Sequence, residues 1–136
     1  MLSHPIIRVF AILLFCMLAA CNKIKTQQKM TNLKESLTSY EVALRWAEHD
    51  AAYSYHVAPD GSRPPADLEK LNEISVTGIE ITDKTVNELQ TEAYTNITIK
   101  YYNKNQGTIK TIKQEQVWWY NDINKQWFIK TEFPQF

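Results

Sequence analysis

The sequence predicts an α+β fold in which a long N-terminal helix packs against a curved antiparallel sheet of about four strands. Three observations predict this class. Apolar residues recur about every 3.7 residues over 32–57, as they do on one face of a helix. From Ile74 onward the period changes to two, which is typical of strands with one buried face. Turn-forming residues at 103–107 and 121–125 then separate the apolar runs, as in an antiparallel meander.

The first twenty residues have the features of a targeting segment. Arg8 places a positive charge ahead of an uninterrupted apolar run at 9–20. This run has 12 residues, whereas a helix needs about 20 to span a bilayer. It therefore has the length of the apolar part of a signal peptide, and we predict that 1–20 is removed from the mature protein.

The end of this run resembles the lipobox of bacterial lipoproteins. The residues that carry the resemblance are Leu18-Ala19-Ala20-Cys21, in which small residues precede a cysteine that is lipidated before cleavage on its N-terminal side. The resemblance implies acyl chains such as palmitate on Cys21, and a lipid bilayer as the first partner of the protein. The alternatives are an ordinary cleaved signal peptide that leaves Cys21 as a free thiol, or an anchored start that is never cleaved.

The residues around Cys21 bear on location and organisation. In the lipoprotein pattern, Asp directly after the lipidated cysteine favours inner-membrane retention, and this sequence has Asn22. The resemblance therefore implies the outer membrane of a Gram-negative envelope, facing the periplasm. Residues 21–31 are predicted to form a lipidated, flexible tether, and 32–136 a single domain. The second cysteine, Cys16, would be discarded with the signal peptide, so the mature domain would depend on its core rather than on disulfides.

The long helix is predicted over 32–57. Asn32 and Glu35 have the spacing of a capping box, in which each side chain binds an amide of the first turn. Pro59 and Gly61 follow the helix, because proline lacks an amide donor and glycine readily adopts positive φ. The predicted buried stripe comprises Leu33, Leu37, Tyr40, Leu44, Ala47, Ala51 and Tyr55, flanked by Val42, Trp46 and Tyr53.

The second half of the chain is predicted to be mostly β-structure. Pro64 and Pro65 open a short second helix that ends near Asn72. The first strand begins at Ile74 and changes phase at Gly78, as a β-bulge would cause. The four strands are predicted over 74–81, 91–102, 108–120 and 126–131.

This order of elements resembles the cone-shaped α+β superfold shared by nuclear transport factor two-like (SnoaL-like) and cystatin-like proteins. The residues that carry the resemblance are Tyr40, Ala43, Trp46, Asp50 and Tyr53 on the helix, and Val117-Trp118-Trp119-Tyr120 and Trp127-Phe128-Ile129 in the strands. Larger members have more strands than are predicted here, so a reduced, cystatin-like version is equally compatible. Enzymes of this superfold place an acidic residue or a histidine beside aromatic hydroxyls in the mouth of the cone.

Four residues are candidates to line such a cavity: Tyr40, Asp50 and Tyr53 on the helix, and Trp119 on the sheet. A buried Asp50 with a raised pKa beside a tyrosine would be able to abstract a proton next to a carbonyl. The alternative is that Asp50 lies at the polar margin of the stripe and that the tyrosines pack in the core. No position matches a catalytic motif of the superfold residue by residue, so no catalytic residue is predicted.

Aromatic residues crowd the last two strands, where consecutive side chains point to opposite faces. If Trp119 packs on the helix, Trp118 and Tyr120 face outward. There they would form an interface for an envelope protein or for a second copy of the chain. The alternative is that tail residues such as Phe133 and Phe136 cover them.

Charge and motif spacing argue against other functional classes. The chain has 15 basic and 15 acidic side chains, so no surface for nucleic acid is expected. No cofactor is predicted, because Gly61, Gly78 and Gly107 are isolated from one another. No metal site is predicted, because His49 and His56 are too far apart along a helix to share an ion. The sequence therefore favours a membrane-anchored, non-catalytic binding protein, with a small-molecule-binding protein or a lyase- or isomerase-type enzyme of the cone fold as the alternative.

Overall fold

A computed structural model of the protein describes the backbone of residues 4–136 and the side chains of Val9, Ile12 and residues 21–136. This part of the chain forms two α-helices, one short 3₁₀ turn and four strands, so the predicted α+β class is confirmed. The elements are α1 (His4–Arg45), α2 (His49–Ser54), the 3₁₀ turn (Lys70–Glu73), β1 (Ile74–Val86), β2 (Glu92–Asn103), β3 (Ile109–Asn121) and β4 (Gln126–Ile129).

The strands form one antiparallel sheet in the order β1-β2-β3-β4. The register of β1 against β2 shifts between Val76 and Gly78, and again between Thr82 and Thr85. The first shift is the bulge predicted at Gly78, and bulges of this kind bend a strand and so curve the sheet. β1 is longer than predicted because pairing resumes after the second bulge, where Asp83 adopts a φ of 54° that aspartate tolerates better than most residues.

The core lies between one face of the sheet, α1 and the C-terminal segment. Tyr40 of α1 meets Trp118 edge-on, with ring centroids 5.7 Å apart. The C-terminal segment returns over the same face, where Phe133 is buried and Phe136 lies 5.1 Å from Tyr101 between ring centroids. The buried residues contributed by the sheet are Ile74, Ala93, Thr95, Ile97, Ile99, Tyr101, Gln116, Trp118, Tyr120, Trp127 and Ile129.

α1 begins earlier than predicted, and the segment 21–31 is helical where a flexible tether was expected. Asn32 therefore lies inside the helix, and its side-chain amide donates to the Lys125 carbonyl at 2.7 Å instead of capping a helix start. The physical reason is lateral support from the sheet. The indole N–H of Trp127 donates to the Lys29 carbonyl at 2.9 Å, which holds this part of α1 against β4.

α1 also ends earlier than predicted, because the chain reverses after Arg45. Ala47 has a φ of 59°, in the left-handed region. Its amide donates to the Leu44 carbonyl at 3.4 Å, and the amide of Glu48 donates to the Ala43 carbonyl at 2.9 Å. These two bonds form a Schellman motif, which closes a helix and allows the chain to change direction.

The reversal alters which residues of the predicted helix are buried. Leu33, Tyr40 and Leu44 lie in the core, as predicted. The residues of the predicted stripe and flanking row that are exposed instead are Val42, Trp46, Ala47 and Ala51. They lie on the solvent side of α1 or at and beyond its end, where the period of a single straight helix no longer applies.

The short second helix predicted after Pro64 is reduced to the single 3₁₀ turn. The segment from Pro64 is held in another way, because its carbonyl accepts a hydrogen bond of 2.6 Å from the Tyr53 hydroxyl. The turn begins only where the Asp67 carboxylate accepts from the Lys70 amide at 3.1 Å. Leu71 is then buried, as the apolar pattern requires.

Candidate functional site

The four residues predicted to line one cavity do not lie together. Tyr40 is buried in the core. Asp50 is exposed on α2, where it lines a shallow surface groove with His49. Tyr53 is half-buried under the Pro64 segment, and Trp119 lies on the outer side of the sheet, where its indole donates to the Val57 carbonyl at 2.6 Å. The buried acid on which the enzyme interpretation depends is therefore not provided by Asp50.

The interface predicted at Trp118 and Tyr120 is also wrong, because the two faces of β3 are reversed. Trp118 has no exposed surface, and Tyr120 is only 7% exposed. Trp118 packs on Tyr40 of α1, and by alternation Trp119 points to the other face. The tail residues Phe133 and Phe136 also pack on the inner face. Their aromatic contacts are with residues other than Trp118 and Tyr120.

A chain of buried polar groups lies under α1. The Tyr40 hydroxyl lies 3.0 Å from His56 Nε2, and the amide nitrogen of Gln116 donates to the same hydroxyl at 3.2 Å. His56 Nδ1 lies 3.0 Å from the Thr131 carbonyl oxygen. A carbonyl only accepts, so Nδ1 carries the proton and Nε2 accepts from the tyrosine hydroxyl. The three hydrogen bonds thus run in one direction, from the Gln116 amide to the Tyr40 hydroxyl, from that hydroxyl to His56, and from His56 to the Thr131 carbonyl.

Burial determines the protonation states of Tyr40 and His56 in this series of hydrogen bonds. Loss of solvation lowers the pKa of His56 to about 4, and the hydrogen bond to the Thr131 carbonyl only partly opposes that effect. Loss of solvation also raises the pKa of Tyr40, against a smaller lowering by the Gln116 amide. Both side chains are therefore neutral near pH 7. The arrangement joins α1, β3 and the C-terminal segment and keeps both groups away from solvent.

Some polar atoms of this series of residues and of its neighbour in β3 have no hydrogen-bond partner among the described residues. They are Gln116 Oε1, Gln114 Oε1 and Thr131 Oγ1. Gln116 itself is fully buried. An unpartnered buried carbonyl oxygen is costly, so this position suits a water molecule or a small hydrogen-bond donor.

From the sequence, His56 was a candidate only as a metal ligand, and Gln116 was not a candidate. Within residues 4–136, as far as their side chains are described, no group of three or more His, Cys, Asp and Glu residues is placed to hold a metal ion. His49 begins α2, whereas His56 follows that helix and pairs with Ile129 at the edge of the sheet. The signal that would have found Gln116 is its position two residues before Trp118, on the same face of β3.

The predicted lipid-attachment residue, Cys21, is exposed on α1. It lies eight residues before Lys29, where α1 first meets the sheet. The prediction for Cys16 falls outside the described side chains. None of the helices in the described part of the chain is long and apolar enough to cross a membrane.

Comparisons with known proteins give a likeness to a solved structure. No protein-family profile matches this sequence, and no curated protein matches it. A solved structure from Xanthomonas campestris pv. campestris, described as a candidate polyketide cyclase, is 13% identical, with a TM-score of 0.46. The match covers 81% of this chain and 93% of that chain. A likeness at this level carries no argument about the activity of this protein.

Proposed function

We propose that this protein is a lipid-anchored protein of the bacterial cell envelope whose folded domain binds a protein partner and catalyses no reaction. The observation that carries the proposal is the Leu18-Ala19-Ala20-Cys21 motif directly after an apolar run of signal-peptide length. Cys21 is exposed on α1, so acyl chains attached there would not disturb the core. In the processed protein, α1 would begin at the anchor itself.

The partner-binding part of the proposal rests on the opposite end of α1. Val42 and Trp46 lie one helical turn apart and are 44% and 72% exposed. Tryptophan is among the residues that most often dominate binding energy in protein interfaces. A groove between α1 and α2 runs beside Val42 and is lined by Ser39, Ala51 and Tyr55. We assign partner binding to this surface, which we call the distal surface.

The anchor is tested by substituting the cysteine. Cys21→Ser keeps a side chain of similar size but has no sulfur for a thioether. We expect wild-type protein to incorporate labelled palmitate in a Gram-negative host and to remain with the membranes after high-salt and carbonate washing. We expect Cys21→Ser to incorporate none and to accumulate at the precursor mass. Equal palmitate labelling of the two proteins would overturn the anchor.

A matched variant tests the location within the envelope. Asn22→Asp leaves Cys21 in place but introduces the residue that favours inner-membrane retention in the lipoprotein pattern. We expect both proteins to incorporate palmitate, wild type to fractionate with the outer membrane and Asn22→Asp with the inner membrane. An identical distribution of the two proteins would contradict the assignment to the outer membrane while leaving lipidation intact.

A second candidate function is binding of a small molecule in the core, and the unpartnered Gln116 Oε1 favours it. The occupant would be a hydrogen-bond donor beside Gln116 and the Tyr40–His56 pair. Native mass spectrometry of wild type and of Gln116→Met tests this candidate, because methionine keeps the volume but removes the amide. A reproducible added mass in wild type that is lost in Gln116→Met supports small-molecule binding, and equal masses of protein alone exclude it.

A further inference from the structure

Two hairpin turns expose the most accessible large apolar side chains among the described residues. Leu89, between β1 and β2, is 79% exposed, and Ile123, between β3 and β4, is 91% exposed. Turn residues of this kind are usually polar, since contact of a large apolar side chain with water is unfavourable. Neither side chain belongs to the core. The two side chains are therefore available for contact with a surface outside the described residues.

Both turns lie at the end of the domain where the anchor is. Leu89 shares a groove of about 560 Å³ with Asn22 and Lys25 of α1. Asp122, next to Ile123 in the chain, lies 3.6 Å from the Lys29 ammonium. An α-helix rises 1.5 Å per residue, so the segment from Cys21 to Lys29 spans about 12 Å. A bilayer that holds acyl chains on Cys21 is thus close to both turns.

Charge at this end of the domain is suited to anionic lipid headgroups. Three lysines and two carboxylates line this groove, a fourth lysine precedes them on α1, and one of the carboxylates, Asp122, already pairs with Lys29. The lysines are Lys23, Lys25, Lys29 and Lys125, and the carboxylates are Glu88 and Asp122. Lysines close to a membrane surface are attracted to anionic phospholipids. Apolar side chains among such lysines are typical of surfaces that enter the membrane interface.

We propose that Leu89 and Ile123 insert into the headgroup region of the bilayer that holds Cys21. This inference rests on the proposed lipid anchor. The acyl chains and the two turns provide three points of attachment, which orient the strands away from the membrane. The distal surface at Val42 and Trp46 then faces away from the bilayer, where a partner can reach it.

The test uses the full lipidated protein in vesicles of phosphatidylethanolamine and phosphatidylglycerol. Lipidation converts the Cys21 thiol to a thioether, so Leu89→Cys and Ile123→Cys each have one free thiol for an NBD fluorophore. Ile109→Cys is the matched control. Ile109 is also apolar and 64% exposed, but it begins β3 at the other end of the sheet.

Vesicle flotation first reports whether the protein is anchored, and quenching by nitroxide-labelled phospholipids then reports the depth of each fluorophore. We expect the nitroxide lipids to remove at least about half of the NBD emission at positions 89 and 123 and to leave position 109 unchanged, since only the first two would enter the interface. Equal, weak quenching at all three positions in floated protein overturns the insertion and leaves the anchor intact. Protein that fails to float overturns the anchor, and the insertion with it.

Discussion

His56 connects distant parts of the chain through its two ring nitrogens. Nε2 accepts from Tyr40 in α1, and Nδ1 donates to the Thr131 carbonyl in the C-terminal segment. The ring also meets Phe133 with centroids 5.0 Å apart. A neutral imidazole fits this position because one nitrogen must accept while the other donates. Protonation of His56 would remove the acceptor and place a charge in the core.

The stability of the fold should therefore depend on pH through His56. Its pKa is about 4 in the folded protein and near 6.5 in the unfolded chain. Between these values the unfolded chain binds more protons at this residue, so the contribution of His56 to the free energy of unfolding falls as the pH drops from about 6.5 to 4 and is constant above that window. The full shift corresponds to a loss on the order of 3 kcal/mol. Urea unfolding of the detergent-solubilised protein, followed by tryptophan fluorescence, measures this dependence.

A variant separates the contribution of His56 to the pH dependence of stability from the contribution of the carboxylates, which also titrate at low pH. His56→Gln retains one acceptor and one donor but does not titrate, so we expect a smaller fall in stability across the same window. His49→Gln is the comparison: desolvation lowers the pKa of His49 as well, but this residue is only half-buried, so we expect its substitution to reduce the fall less than His56→Gln does. Parallel stability profiles for wild type and His56→Gln would contradict the role of the buried imidazole.

The Tyr40 hydroxyl should contribute more to stability than that of Tyr53. Tyr40→Phe leaves His56 Nε2 and the Gln116 amide without their partner in the core. Each unsatisfied buried group costs about 1–3 kcal/mol, so for two groups we expect a loss of about 2–6 kcal/mol in the free energy of unfolding. Tyr53→Phe removes one half-buried bond to the Pro64 carbonyl, for which we expect about 1 kcal/mol. Equal losses in denaturant unfolding would contradict this ranking.

For the residues of β3, the sequence predicts which side chains share a face but not which face is buried. Alternation along β3 places Gln116, Trp118 and Tyr120 on one face. Alternation does not determine which face is buried, because Trp118 and Trp119 are equally apolar. That choice depends on Tyr40, which meets Trp118 across a contact between residues far apart in the sequence. The four predicted cavity residues were separated for two reasons: Asp50 and Tyr53 follow the helix end at Arg45, and Trp119 is on the face of β3 away from Tyr40.

At the level of elements, local patterns predicted the strands better than the helix ends. The turns and alternation place β2 and β3 within one residue of their predicted starts and ends, and the bulge at Gly78 follows from a break in phase. The helix extends ahead of residue 32 with support from the hydrogen bond between Trp127 and the Lys29 carbonyl, which sequence spacing does not reveal. Its end depends on a left-handed alanine, where the ordinary signal would be glycine.

The helix end at Ala47 is therefore a position where glycine should stabilise the fold. Alanine is strained at a φ of 59°, so we expect Ala47→Gly to raise the free energy of unfolding by about 1 kcal/mol. The change should appear as a rise of several degrees in the thermal midpoint measured by circular dichroism. Ala51→Gly is the matched control, because Ala51 is exposed inside α2, and glycine there should lower stability by about 0.5–1 kcal/mol. A loss of stability in both variants would contradict the role of the Schellman motif.

Across the whole molecule, α1 connects two ends with different proposed roles. Cys21 and the turns that carry Leu89 and Ile123 lie at one end, and the distal surface lies at the other. From Cys21 to Trp46 the chain rises about 37 Å if helical geometry is maintained. The sheet packs along α1 between these ends and fixes their separation. An anchored protein of this shape would hold its partner well above the headgroups.

Trp46 should then carry much of the partner binding. A photo-crosslinking residue at Val42, introduced in living cells, would trap the partner as a covalent adduct of higher mass. Truncation of a dominant interface tryptophan costs about 2 kcal/mol or more, which is about 30-fold in affinity. We therefore expect Trp46→Ala to abolish most of the adduct, while Ile109→Ala, which removes another exposed apolar side chain, leaves it unchanged. An adduct of equal strength in both variants, with correct folding shown by circular dichroism, would assign partner binding to a different surface.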